Sequence, residues 1–258
     1  MLKNIKTIFF KEMRLYVVTP IASVMGSMFL LLQGFIFASY ARDISRKSIE
    51  MMNNFRQGGT PFIDLHLLLF TPTLIWTLFI LLLIIPILTM RLLSEEKKQK
   101  TDELLLTSPI TIGEILIAKY LAALFIFSIL LVLTLSMPLI ISFYSDINLE
   151  LLFTSYLGLF FVGAVFISFG LLASAITENQ IIAAILSFGM LLFLWLFKTA
   201  AIAAGPVMGP LLAYLSVTLH LENFLKGLID SKDVIYYLSA SSLGLFLSYQ
   251  VYESRKWK

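Results

Sequence analysis

The sequence predicts an all-α integral membrane protein with six transmembrane helices, and two observations support this fold class. The 258-residue chain is 59% hydrophobic and 14% charged, whereas a soluble domain is about half apolar and a quarter charged. Apolar runs of about twenty residues also recur along the chain, and each is long enough to cross a bilayer as a helix. Helices are expected because lipid offers the backbone no hydrogen-bond partners.

The predicted spans leave only short connections, so residues 1–258 are expected to form a single transmembrane domain. The spans cover residues 21–41, 67–90, 114–143, 151–176, 181–200 and 234–252. Pro86 and Pro138 are expected to kink spans two and three. The sequences TIGE from Thr111 and TENQ from Thr177 each fit a capping box before the next span.

Small residues along the fourth predicted span are expected to let neighbouring helices approach closely. These residues are Gly163, Ala164, Ser168, Gly170 and Ser174. A role in lining a substrate path is the alternative.

The distribution of lysine and arginine predicts which segments face the cytoplasm. If the N-terminus is cytoplasmic, the inside segments hold twelve of the nineteen lysine and arginine residues, and the outside segments hold seven. Cytoplasmic loops are enriched in these residues, so both termini are predicted to be cytoplasmic. The net charge of +3 sits mostly at helix ends, which does not indicate nucleic-acid binding.

Two further segments lie outside the predicted spans. Residues 1–18 place apolar and basic side chains on opposite sides of a helix, which predicts an amphipathic helix in the inner membrane interface that ends at Thr19-Pro20. An ordinary basic flank is the alternative. Residues 205–233 are predicted to form a pair of re-entrant or interfacial helices on the outer face. A seventh span is the alternative, but it would place the basic C-terminus outside.

The most polar part of the chain is RLLSEEKKQKTDELLLTSPIT, which begins at Arg91 and separates spans two and three. Its residues favour a helix, and the charged half is followed by three leucines that could contact a partner. Residues 91–108 are therefore predicted to project into the cytoplasm and to dock into a groove on another protein. A solvated loop with a positive flank is the alternative.

This segment resembles the one that joins spans two and three in permeases of type-2 ABC exporters. The similarity covers the whole chain and includes the N-terminal FKEMRLYVVTP and the LLASAITENQIIAAILSF hairpin. The stretch LHLENFLKGLIDSKDVIYYLS is similar to the subgroup that contains gliding-motility-associated permeases. Gln99 and Lys100 replace a small or glycine-containing pair often found in the family, which would alter the local geometry.

The resemblance implies a coupling helix that sits in a cleft of a separate cytoplasmic ATPase subunit. The residues placed at this contact are Ser94, Glu95, Glu96, Lys97, Thr101, Glu103, Leu104, Leu105, Leu106, Thr107, Ser108 and Pro109, with Glu178 and Asn179 from the second inner loop and Lys11 and Glu12 from the N-terminal helix. It also implies a dimer with a second copy or a paralogue, in the lipid of a bacterial inner membrane. No G-x-x-x-x-G-K-[ST] loop is present, so ATP and magnesium are expected in the partner, and this chain is expected to hold no cofactor or metal.

Other functions receive less support from the residues. His66 and His220 are the two histidines, and neither belongs to an H-E-x-x-H zinc motif. The chain is therefore predicted not to be an enzyme, because no cluster of titratable residues indicates an active site. A self-contained channel or scaffold is the main alternative, and it predicts that no ATPase subunit binds the chain.

Overall fold

The computed structural model describes residues 2–55, 65–101, 110–145 and 147–254, and these residues contain helices but no strand. The helices are α1 (Leu2–Val18), α2 (Pro20–Phe55), a π-helical turn (His66–Phe70) that leads into α3 (Thr71–Thr89), α4 (Ser94–Lys98), α5 (Ile112–Thr134), α6 (Ser136–Ser142), α7 (Leu149–Ile176), α8 (Gln180–Ala203), α9 (Gly205–Leu215), α10 (Val217–Leu225) and α11 (Ser231–Glu253).

Within the described ranges, six helical segments are long and apolar enough to cross a membrane, which confirms the predicted fold class. They are Ala22–Ile49, His66–Lys98, Ile112–Ser142, Leu149–Ile176, Gln180–Ala203 and Ser231–Glu253. The chain is therefore a multi-pass membrane protein. Each segment overlaps one of the six spans predicted from the sequence.

Helix α7 lies at the centre of the bundle and is the most buried of the six spans. Its small residues are in contact with neighbouring helices, as predicted. A Cβ atom on Gly163 would lie 2.0 Å from the Phe127 ring, and one on Gly170 would lie 2.2 Å from the hydroxyl of Thr89. The prediction of close packing is therefore confirmed at these positions, and α5 and α3 lie directly against α7.

The two prolines within the spans behave differently. Span three is broken at Leu135 into α5 and α6, and Pro138 lies in the first turn of α6, which agrees with the predicted kink. Pro86 lies inside α3, and that helix continues past it to Thr89. The helix is therefore broken near Pro138 in span three, and it is not broken at Pro86 in span two.

Two predicted boundaries differ from the structure. Helix α2 continues beyond residue 41 to Phe55, because hydropathy marks where a chain leaves lipid and not where its helix ends. The capping box at Thr111 is confirmed, with Glu114 as its partner. The prediction of a capping box at Thr177 is wrong. Asn179 is the N-cap of α8, and its side chain accepts a hydrogen bond from the backbone N–H of Ile181.

The segment after α8 forms two short helices, in agreement with the predicted pair. Helix α9 has 11 residues and α10 has 9, so neither is long enough to cross a bilayer alone. The backbone turns at Gly205, whose φ of +72° favours glycine. Because α8 starts beside α4 and extends for a full span, α9 and α10 lie at the opposite end of the bundle.

Candidate functional site

The candidate site is built around α4, a helix of five residues at one end of the bundle. No side chain of α4 itself caps its N-terminus. Instead, the hydroxyl of Ser174 on α7 accepts hydrogen bonds from the backbone N–H groups of Leu93 and Ser94, each at 3.0 Å. The same hydroxyl is 3.1 Å from the carbonyl oxygen of Met90. Helix α7 therefore satisfies backbone groups that the short helix would otherwise leave without partners.

The side chain of Lys97 attaches α4 to two other helices of the bundle. Its side chain is buried, and its ammonium group donates to the carbonyl oxygen of Ala175 in the last turn of α7. A cation is favoured there by the partial negative charge at a helix C-terminus. The ammonium group also lies 5.7 Å from the centre of the Tyr252 ring on α11. Lys97 thus joins α4 to the ends of α7 and α11.

A buried ion-pair network joins α4 to α1 and α5. The Lys119 side chain on α5 is only 2% exposed, and its Nζ lies 2.6 Å from Glu12 Oε1 and 3.1 Å from Glu96 Oε1. Lys11 Nζ lies 2.9 Å from the same oxygen of Glu96. Two cations and two carboxylates therefore balance one another, as buried charges require.

Helix α1 lies along α5, where Ile8 packs against Ile115 and Ala118. The hydroxyl of Tyr16 donates to the carbonyl oxygen of Leu88 at 2.9 Å. Burial, reinforced by the nearby Glu12 carboxylate, raises the pKa of Tyr16, so this hydroxyl remains a donor. The predicted amphipathic helix therefore packs on the protein as well as carrying exposed apolar residues.

A cavity of about 340 Å³ lies between α1 and α4, and charged side chains line it. Arg91 forms a bidentate ion pair with Glu95 along the wall of this cavity, with N–O distances of 2.7 and 2.9 Å. Beyond this pair, Lys98, Gln99 and Lys100 are exposed. The exposed end of α4 is therefore polar and faces away from the bundle.

The predicted contact residues fall into three groups in the structure. Glu12, Ser94, Glu96 and Lys97 are buried in contacts within the chain, so their side chains help to hold α4 in place. The partly or fully exposed group comprises Lys11, Glu95, Thr101, Glu178 and Asn179. Outside the described residues lie Glu103, Leu104, Leu105, Leu106, Thr107, Ser108 and Pro109.

The structure places α4 beside the two helices that flank the turn at Glu178 and Asn179. Helix α4 contacts both α7 and α8, and the turn between these helices carries Glu178 and Asn179. Sequence reasoning missed the ion pairs of Lys119 and the hydrogen bonds of Ser174, a residue that it assigned only to close packing. An ionisable residue within an apolar run usually has a partner, and this signal could have identified Lys119. Nothing in the sequence distinguishes Ser174 from other serines in the spans.

Among the described residues, no group of three or more histidine, cysteine or acidic side chains is arranged to bind a metal ion. In the part of the chain that the structure describes, six helices long and apolar enough to cross a membrane and a charged surface at one end of the bundle are typical of a polytopic membrane protein.

Residues 7–248 match the family described as ABC-2 family transporter protein. The chain therefore belongs to the ABC-2 transporter family and is a membrane permease subunit of an ABC transporter. It is a membrane transport component of a system that includes an ATPase partner. The sequence matches no individual curated protein.

Proposed function

We propose that this permease is the membrane subunit of an exporter and is driven by a separate cytoplasmic ATPase subunit that contacts α4. The contact surface would consist of the exposed side of α4, the turn between α7 and α8, and Lys11 on α1. We call this the α4 surface. The partner would bind ATP and magnesium, and this chain would supply neither a nucleotide site nor a cofactor.

The observation that carries the proposal is the anchoring of α4. Ser174 and Lys97 tie the helix to α7 and α11, and Glu96 ties it to α5 and α1 through Lys119 and Lys11. Four longer helices are thereby joined to a segment of five residues. A displacement of α4 would be passed to these helices because the buried ion pairs and hydrogen bonds are costly to break.

ATP must bind the two conformations of the assembly with different free energies to drive transport. Closure of two ATPase subunits would move α4 in each half of a permease dimer, formed with a second copy or a paralogue. The path of the transported substrate would then run between the two permease subunits of this dimer. We further propose that the protein lies in the bacterial inner membrane and that both termini lie in the cytoplasm, as the excess of lysine and arginine on that side favours. The resemblance to type-2 ABC exporters is compatible with lipids, glycans, peptides or small toxic compounds as substrates, or with mechanical work on the envelope as in gliding motility.

Co-purification of an ATPase tests this function. The protein would be extracted from its native membrane in mild detergent, and the proteins that accompany it would be identified. We expect an ATP-hydrolysing subunit with the wild type and its loss with Glu178→Lys at the α4 surface.

Lys226→Glu is the matched control. It also reverses the charge of an exposed side chain, but Lys226 lies at the opposite end of the bundle. This variant should retain the ATPase. If Glu178→Lys retains the ATPase as fully as the wild type does, or if no ATPase accompanies the wild type in any of several detergents, the proposed contact through the α4 surface is wrong.

A further inference from the structure

A cluster of polar side chains joins α9, α10 and α11 at the end of the bundle opposite α4. His220 on α10 lies between two oxygen atoms. Its Nδ1 is 2.6 Å from Asp233 Oδ1 on α11, and its Nε2 is 2.9 Å from the backbone carbonyl oxygen of Tyr214 on α9. The amide of Asn223 donates to the other oxygen of Asp233 at 2.8 Å. One imidazole ring therefore bridges three helices.

The partners of these atoms fix the number of protons in the cluster. A backbone carbonyl oxygen can only accept, so Nε2 of His220 must carry a hydrogen. The short contact between Nδ1 and Asp233 Oδ1 also needs one hydrogen, which can be bonded to either of the two atoms. Imidazole and carboxyl group together therefore hold two exchangeable protons and have no net charge. The Asp233 side chain is only 4% exposed and that of His220 12%, so a net charge there would be costly.

Aromatic groups surround the histidine on its remaining sides. The Tyr236 ring stacks on it with a centroid distance of 4.0 Å, and Tyr214 and Tyr237 approach it edge-on. Two other ion pairs lie in this region, Lys198 with Glu222, and Lys232 with Asp230 at the start of α11, and Lys226 at the end of α10 is exposed. Asp233 is therefore the acidic group that faces the ring among the described residues.

We propose that His220 and Asp233 form a proton-dependent latch that holds α9 and α10 against α11. Removal of one proton leaves one ring nitrogen without its hydrogen. Either Nδ1 then faces Oδ1 of Asp233, or Nε2 faces the Tyr214 carbonyl oxygen, and in both cases two hydrogen-bond acceptors are in contact. The cluster also gains a negative charge that no cation in the cluster compensates. The latch opens at that point and the attachment of α9 to α11 is weakened, with the hydrogen bond from the Tyr236 hydroxyl to the Leu215 carbonyl oxygen left to join them. This inference concerns the end of the bundle remote from α4 and does not depend on an ATPase partner.

The substitution Asp233→Asn makes a sharp test because it reverses the proton requirement. The introduced amide can donate its N–H to Nδ1 of a neutral His220, while its oxygen still accepts from Asn223. Every hydrogen bond of the latch is then complete with one proton fewer. Protonation of Nδ1 would instead leave a net positive charge in this buried cluster, whichever way the two amides are turned. The variant should therefore be latched in alkaline solution and open in acid, opposite to the wild type.

The absence of cysteine from the chain allows the motion to be measured with two introduced labels. Leu211→Cys on α9 and Leu238→Cys on α11 replace side chains that are each 55% exposed. Spin labels at these positions would report the α9–α11 distance in nanodiscs at a series of pH values from about pH 5 to about pH 9. We expect a narrow distribution for the wild type in acid that broadens as the pH rises.

His220→Phe is the matched control, because it keeps an aromatic ring against Tyr236 but removes both hydrogen bonds. Its distance distribution should be broad at every pH, while Asp233→Asn should be broad only in acid. A narrow distribution for Asp233→Asn in acid would overturn the latch. So would a narrow distribution for His220→Phe, or a wild type that does not broaden on alkalinisation.

Discussion

At the scale of single residues, Lys119 shows what the sequence could and could not reveal. Its position near the start of the third span is visible in the sequence, where it counts as one of the cytoplasmic cations. The carboxylates that pair with it, Glu12 and Glu96, are 107 and 23 positions away and lie on two other helices. Only the packing of α1 and α4 on α5 brings the three together.

We expect Lys119→Met to destabilise the protein by about 3–5 kcal/mol, because it leaves an uncompensated carboxylate in a buried site. Thermal unfolding of the detergent-solubilised variant measures the effect. The double variant Lys119→Met with Glu12→Gln should recover most of the loss, since the remaining Lys11–Glu96 pair is neutral. Equal melting temperatures for the single and double variants would contradict the charge balance that the network implies.

Ser174 makes a second prediction at this scale. Ser174→Ala removes the acceptor for the N–H groups of Leu93 and Ser94, and we expect a loss of about 1–3 kcal/mol in stability. Ser242→Ala is the control, because the Ser242 hydroxyl is exposed and donates only to a carbonyl of its own helix. If both variants unfold at the wild-type temperature, Ser174 does not hold α4 on α7.

At the scale of elements, the number and type of the helices followed from hydropathy, while several ends did not. Helix α2 extends to Phe55 because its charged residues continue the helix outside the apolar run. Asn179 displaced Thr177 as the cap of α8, since either side chain could accept a backbone hydrogen bond there. Such competition between neighbouring capping residues is decided by the packing of the turn.

The central position of α7 can be tested with two glycines. We expect Gly163→Ala to destabilise the protein by about 1–3 kcal/mol, because the new Cβ would overlap the ring of Phe127. Gly189→Ala on α8 meets no atom within 4 Å and should stabilise its helix by about 0.5–1 kcal/mol. Thermal unfolding distinguishes the two effects. A neutral Gly163→Ala variant would show that α5 and α7 are further apart than described.

At the scale of the whole molecule, α1, α4, the α7–α8 turn and the end of α11 share one end of the bundle. We expect that end to be cytoplasmic. Lys98→Cys should therefore react with a membrane-impermeant thiol reagent only in inverted vesicles, and Lys226→Cys only in intact cells. The opposite pattern would reverse the predicted orientation and would remove α4 from any cytoplasmic ATPase.

The contact residues illustrate the limit of reasoning by resemblance at this scale. The resemblance identifies the family to which the chain belongs, but the docking of residues 91–108 onto a partner stays a prediction. The described part of this segment packs largely against the bundle, with Ser94, Glu96 and Lys97 buried. Sequence could not separate Glu95 and Thr101, which are partly exposed, from Ser94, Glu96 and Lys97, which pack inside the protein. That division depends on α7 and α5, which approach α4 only after the spans have assembled.

The measurement that tests the central claim most directly is photo-crosslinking from the α4 surface in native membranes. A photoreactive amino acid would replace the exposed Lys98, and a second one would replace Met208 on α9 at the opposite end. We predict that position 98 forms an adduct with an ATP-hydrolysing subunit and that position 208 does not. The claim is contradicted if position 98 crosslinks only within the permease or to lipid, or if both positions capture the same ATPase equally.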